Sequence, residues 1–245
     1  MANGVHFEEA AGPDGMRLYA IGDVHGRADL LQRVHDRIDA EIARDRPDDW
    51  RVVHLGDYVD RGADSCGVID FLVQRMEQDP RHIALLGNHE ERFAMFLQDA
   101  AEWGNFINFG GRETALSYGV DLDAYGEEAA AQRALAAAVP KDHVLFLDRL
   151  QLSATFGDFF FCHAGIRPGV PLDRQTQADL VWIRKPFHDH QDLHPKVIVH
   201  GHTPVAMADI RPNRVNLDTL AYDSGILTVL VVDGTDKRLF ATEEG

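Results

Sequence analysis

RLYAIGDVHG, residues 17–26, is a short apolar run that breaks into a polar loop bracketed by glycines. The pattern recurs as RVVHLGDYVDRG at 51–62 and HIALLGNHE at 82–90. Each apolar run is strand-sized, and each loop leads into a segment with helical spacing. After the first loop a helix should begin near Ala28, because Leu30, Leu31, Val34, Ile38 and Ile42 recur every three or four residues. After the second, Val68, Ile69, Leu72, Val73 and Met76 repeat the spacing. Strand, turn and helix thus alternate three times, which predicts βαβ crossovers and a largely parallel sheet.

Outward from this core, residues 90–150 read as mainly helical, with an Ala-rich stretch at 127–138 and a further helix at 142–150. The chain then turns β-rich. QLSATF and DFFFCH flank Gly157-Asp158 as a hairpin, KVIVH (196–200) is another strand, and ILTVLVV and KRLFAT flank Asp233-Gly234. Neither an internal repeat nor a linker interrupts the 245 residues, so one domain over 1–245 is expected, with its motifs between about 17 and 218.

Composition narrows the classes. Twenty-four Lys+Arg against 40 Asp+Glu give a net charge of −16, which argues against a broad grip on nucleic acid or an anionic membrane. Two cysteines cannot build a disulfide framework or a four-cysteine zinc site. The first fifteen residues lack the charged and apolar regions of a signal peptide, so a cytoplasmic location is expected.

In a parallel α/β sheet the loops at the carboxyl ends of strands share one edge. Asp23, His25, Asp57, Asp60, Arg61, Asn88 and His89 should therefore converge there. Two later strands end in the same manner, FFFCHAG with His163 and VIVHGHTP with His200 and His202. Asp, Asn and His together form a mixed oxygen and nitrogen donor set for Mn, Fe or Zn. There are more candidate ligands than one ion needs; two adjacent ions fit, with Asp57 as the natural bridge, clamping a phosphate and acidifying a shared water.

GDVHG, GDYVDRG, GNHE, the strand-end His163 and GHTP together resemble the metallophosphoesterase superfamily, within it the phosphoprotein phosphatases of bacterial and bacteriophage lambda type. That resemblance implies an α/β fold, an α-β-β-α sandwich of central sheets flanked by helices. It implies that Asp23 and His25 bind one metal, Asp57 bridges, and Asn88, His163 and His202 bind the second, with Mn2+ as the first choice. It also implies His89 as general acid oriented by Asp60, and Arg61 and Arg184 as grips on phosphate, where Asn88 also contributes. The implied activity is hydrolysis of phosphoserine or phosphothreonine in proteins by direct attack of a metal-bridging hydroxide. Phosphoproteins would be the partners, and neither nucleic acid nor membrane.

Two other readings stand beside this one. A related branch hydrolyses diadenosine tetraphosphate symmetrically, but it usually lacks the Asp of GDxVxRG and carries Asp after Asn-His; Asp60 and Glu90 favour the protein phosphatase. A catalytically silent metal-binding module is the third reading, and His89 with every expected ligand speaks against it. His200 reads as a strand-end core histidine, His188–His194 as a solvated loop, and Cys162 as a buried thiol in a strand. Trp103, Asn108–Gly111, Thr114 and Ser117–Gly119 resemble a segment that follows GNHE in lambda-type phosphatases, which implies part of a wall over the metals. Two positions depart from the family pattern: Lys185 follows Arg184 where an acid is frequent, and Leu220 stands where Gly commonly follows Asp-Thr.

Overall fold

The computed structural model describes residues 4–242. Residues 1–3 and 243–245, included in the expected 1–245 domain, lie outside the described residues. In chain order the elements begin β1 (Met16–Ile21), α1 (Ala28–Asp45), β2 (Asp49–His54), α2 (Ser65–Gln78) and β3 (His82–Ala84). Helices α3 (Asn88–Gln98), α4 (Trp103–Ile107), α5 (Gly111–Ser117), α6 (Glu128–Ala138) and α7 (Lys141–Arg149) follow, occupying the segment read as helical. Then come β4 (Ser153–Phe156), β5 (Phe159–Cys162), α8 (Gln177–Trp182), α9 (Lys185–His188) and β6 (Val197–His200). The chain closes with β7 (Asp209–Ile210), β8 (Arg214–Asn216), α10 (Ala221–Ser224), β9 (Thr228–Asp233) and β10 (Asp236–Ala241).

Side-chain alternation along the strands sets the layers. Leu18 and Ala20 of β1 pack with Phe159 and Phe161 of β5 and with Val197 and Val199 of β6, forming a core between two sheets. The alternate residues of β1, Tyr19 and Ile21, face outward onto Leu31, Val34 and Ile38 of α1 and Ile69 and Leu72 of α2. On the opposite side Phe160 and Cys162 pack against Leu180, Val181 and Phe187. The result is the α-β-β-α sandwich. Helix α1 shows the local logic: one apolar face is buried, and the helix stops at Arg46, left-handed at φ 50°, just before Pro47.

The expectation of a largely parallel sheet needs correction. One sheet runs β10-β9-β1-β2-β3 and the other β4-β5-β6-β8-β7. Only the helix-linked pairs β1·β2 and β2·β3 are parallel in the first sheet; β9 and β10 add antiparallel. In the second, β5·β6 and β6·β8 are parallel while β4 and β7 lie antiparallel at the edges. The physical reason is that hairpins at Gly157-Asp158 and Asp233-Gly234 connect strands directly, without the crossover that parallel pairing requires. β7, two residues long, is too short to give an alternation signal.

Register does what the site needs. Ile21 pairs with His54 and His54 with Ala84, so the first three strands end at one level. In the facing sheet Phe161 pairs with Val199, and His200 with Asn216. The loops that follow all open at the same edge.

Candidate functional site

At that edge lies a cavity of about 300 Å³ lined by His25, Asp57, Arg61, Asn88, His89, Phe109, Trp182, Arg184, His202 and Asp218. The loops that build it hold strained backbone. Among the described residues seven non-glycine positions have positive φ, and His25, Asp57, Asp60, Arg61 and His202 are five of them. Close approach of the loops demands glycine at key points. A Cβ on Gly201 would fall 1.9 Å from Asp23 Oδ1, and Gly56, at φ +105°, presses against Gly87 and His163.

Asp57 sits at the centre. Its Oδ2 lies 3.5 Å from His25 Nε2 and its Oδ1 3.2 Å from His163 Nε2. Two groups of close ligand atoms share it, one with His25 and His89, the other with His163 and His202. Backbone carbonyls orient two of the rings: His25 Nδ1 is 2.8 Å from Val59 O, and His163 Nδ1 is 2.9 Å from Leu55 O. Only N–H can donate to a carbonyl, so Nδ1 carries a proton in each ring. Nε2 of His25 keeps its lone pair for the cavity, whereas Asp57 raises the His163 pKa and its Nε2–H faces the Asp57 and Asn88 oxygens, a proton that a bound cation would displace. Asn88 Oδ1 lies 3.0 Å from His163 Nε2 and 2.7 Å from His202 Nδ1. Asp23 Oδ2 accepts from the His202 N–H at 2.9 Å, while its buried Oδ1 has no hydrogen-bond partner.

Electrostatics calls for a cation. Burial, then Asp218 and Asp57, push the Asp23 carboxyl well above its ordinary value. Burial and Asp57 raise Glu90 to about 7. Burial would raise Asp57 too, but His163, His89 and His25 around it outweigh burial and hold it well below. Burial drives His25 down to about 3 and His202 to about 2, so both rings are neutral donors near pH 7. Crowded buried carboxylates, neutral imidazoles and an orphaned carboxylate oxygen are the donor set of a divalent ion, and these residues fit one.

Beside this set stands an acid–base pair. His89 Nδ1 is 2.7 Å from Asp60 Oδ2, both groups being buried. Asp60 Oδ1 accepts from Thr114 Oγ1 at 2.6 Å, and its own N–H donates to Thr114 Oγ1 and Ser65 Oγ. Burial alone would lower His89, but Asp57 and Asp60 outweigh it and raise its pKa, favouring the imidazolium. Arg61 Nη2 approaches His89 Nε2 at 3.3 Å. Arg184 lies exposed at the rim, its Nη2 3.4 Å from His202 O.

The structure therefore brings together Asp23, His25, Asp57, Asp60, Arg61, Asn88, His89, His163, His202 and Arg184. His200 is fully buried and packs on Phe187, as read from the sequence. Cys162 is buried and its thiol is raised by burial. The solvated reading of residues 188–194 is wrong for His194, which is 3% exposed and stacks on Phe187. Sequence reasoning assigned no role to Asp218, although it too follows a strand end. It also missed the Thr114 clamp on Asp60, and Glu90, whose carboxylate accepts from the N–H groups of Asp57, Tyr58, Val59 and Gly87. Phe109, in the segment read as a wall, stands edge-on to His89. Arg92 is sandwiched between Phe109 and Trp182 at 3.5 and 4.4 Å, which stiffens this rim.

Comparison with known proteins adds to the geometry. The calcineurin-like phosphoesterase family matches residues 16–231. A provisionally named serine/threonine-protein phosphatase of Schizosaccharomyces pombe is 32% identical over 181 residues, covering 67% of this chain and 48% of its own length. The chain thus spans about half the length of that relative. Asymmetrical bis(5'-nucleosyl)-tetraphosphatase PrpE of Halalkalibacterium halodurans is 27% identical over 243 residues, covering 88% of this chain and 89% of its own. Among solved structures, one provisionally described as a diadenosine tetraphosphatase superposes with a TM-score of 0.66 at 20% identity, over 94% of this chain and 95% of its own. A protein serine/threonine phosphatase from Saccharomyces cerevisiae gives 0.61 at 14%, over 98% and 86%. At these identities the structural likeness shows the fold. No helix among the described residues is long and apolar enough to cross a membrane.

Proposed function

The chain belongs to the calcineurin-like phosphoesterase family, and on that footing we propose that it is a two-metal phosphomonoesterase acting on phosphoserine and phosphothreonine in proteins. The observation that carries the substrate reading is the buried His89–Asp60 pair at 2.7 Å. An alkoxide is a poor leaving group and needs a proton as the P–O bond breaks, whereas the phosphate released from an anhydride leaves as a stable anion. A histidine held as imidazolium suits the first task.

Asp23, His25 and Asp57 would hold one ion, and Asp57, Asn88, His163 and His202 the other; Mn2+ suits their mixed oxygen and nitrogen donors. When bound, the ions supply charge neutralisation for the phosphate and an acidified water as nucleophile. Arg61 and Arg184 orient the phosphate oxygens from two sides of the cavity. His89 Nε2 holds the proton for the leaving oxygen, and Asp60 keeps Nδ1–H in place. Thr114 in turn keeps Asp60 in place. Cys162 is buried in the sheet layer and takes no part as a nucleophile.

A second reading has its own support. The PrpE relative aligns over most of both chains, so hydrolysis of dinucleoside tetraphosphates is the alternative, asymmetrical in that relative rather than the symmetrical cleavage weighed from the sequence. The test strips the metal, restores Mn2+, and compares initial rates on a phosphothreonine peptide and on diadenosine tetraphosphate. Faster turnover of the peptide supports the proposal; faster turnover of the dinucleotide replaces the substrate and keeps the site.

A further inference from the structure

Away from the cavity, three histidines meet inside the layer between α1 and the first sheet. His35 comes from the middle of α1, His54 is the last residue of β2, and His82 the first of β3. They are 0%, 0% and 4% exposed. Ring centroids stand 5.2 Å apart for His35–His54, 5.4 Å for His35–His82 and 6.2 Å for His54–His82. One nitrogen from each ring lies within 4.8 Å of the other two.

Their hydrogen bonding is incomplete. His54 Nδ1 is 3.0 Å from Ile83 O, so it is the protonated nitrogen, and Nε2 carries the lone pair. That Nε2 accepts from His35 Nε2–H at 2.9 Å, a proton that metal binding would release. Nδ1 of His35 and Nδ1 of His82 are buried with no partner at all. Phe71 stands 4.8 Å from His35 and Trp50 5.3 Å from His82, while the paired charges Arg75–Asp39 and Arg81–Asp79 lie near His82. Polar rings in such a layer cost stability unless their nitrogens are used, and aliphatic side chains would fill the space without that cost.

We propose that His35, His54 and His82 form a second, structural metal site for a zinc-class divalent ion, tying α1, β2 and β3 together behind the catalytic loop. A set of three imidazoles without a carboxylate favours Zn2+ over hard ions such as Mg2+ or Ca2+. Burial lowers all three rings, His54 to about 3 and His82 to about 4, so they stand in the neutral form that ligates. Arg75 opposes a cation here, but its guanidinium is paired with Asp39 at 2.7 Å. Tyr58, one residue beyond Asp57, connects the site to the cavity: its hydroxyl lies 2.7 Å from Leu85 O and 3.1 Å from His54 O.

The test needs no substrate. The full chain, stripped and reloaded with Zn2+ alone, is crystallised and an anomalous difference map is collected at the zinc edge. A peak among His35, His54 and His82 is the expected result; zinc confined to the cavity overturns the proposal. In solution, His82→Asn should bind one zinc fewer per chain than the unaltered protein. It should also lose a zinc-dependent rise in Tm of about 5–10 °C at ~100 Kd free metal. Equal zinc content in the two proteins contradicts the site, and if the variant does not fold the anomalous map decides.

Discussion

Asp60→Asn isolates the proposed proton donor with little disturbance to shape. Asp60 is fully buried and left-handed at φ 71°, a conformation that asparagine tolerates better than most residues. The amide keeps an oxygen for one partner but must turn its NH2 toward the other. Facing His89 Nδ1, that NH2 forces the ring into the tautomer in which Nδ1 accepts, and the imidazolium loses its charged partner. A hydrogen bond to a charged group contributes about 1.5–3 kcal/mol, so the rate on a phosphothreonine peptide should fall about 10–150-fold. The same loss should not extend to p-nitrophenyl phosphate, whose leaving group needs no proton; a fall under about 5-fold is expected there. The pH profile adds a second readout. Imidazolium is the active form, so activity is lost as pH rises through the His89 pKa, and Asp60→Asn should move that limb to lower pH. Steady-state kinetics on both substrates with metal content measured in parallel checks the prediction. An equal loss on the two substrates, or none on the peptide, would refute the acid role.

Thr114→Val removes the hydroxyl that donates to Asp60 Oδ1, leaving a buried carboxylate short of a partner; urea unfolding should show a loss of about 1–3 kcal/mol. Leu220 is left-handed at φ 59° with no steric licence for it, so Leu220→Gly should be more stable than Leu220→Ala by about 1 kcal/mol in the same assay, and an alanine variant at least as stable would contradict the strain. Acid should weaken the metal-free protein in a defined window. His54 and His82 have folded pKa values of about 3 and 4, lowered by burial, so the unfolded chain takes up protons first. Their contribution is intact above about pH 6.5 and falls by about 1.4 kcal/mol per pH unit for each ring still neutral in the fold, until their folded pKa values are reached. Unfolding curves at pH 7, 6 and 5 measure that slope, and a flat profile would mean the rings are not held neutral.

What the sequence made legible follows from which interactions are local. Strands read from RLYAI and RVVHL, and helices from the spacing of Leu30, Leu31, Val34 and Ile38, because burial on one face imposes a period within a few turns of chain. Nine of the ten candidate site residues were legible for a related reason: each follows an apolar strand or sits in a glycine-bracketed motif, and parallel register carries those ends to one edge; Arg184, between α8 and α9, was reached through the family resemblance. The antiparallel addition of the β9–β10 hairpin to β1 was not legible, since it depends on partners more than 200 residues away. Thr114 escaped assignment because its role appears only when α5 is packed against the loop holding Asp60. The histidine cluster escaped for the same reason, its three members reading separately as one helix residue and two strand residues.

The proposed joining of two metal groups by Asp57 into one phosphate-hydrolysing centre is what the other assignments depend on. It is tested most directly by measuring metal content and Mn2+-dependent phosphate release together, in the unaltered protein and in Asp57→Asn. Activity should vanish on stripping and return with Mn2+ in the first, and both the cavity metals and the activity should be lost in the second. Equal metal-dependent activity in the two proteins would contradict it.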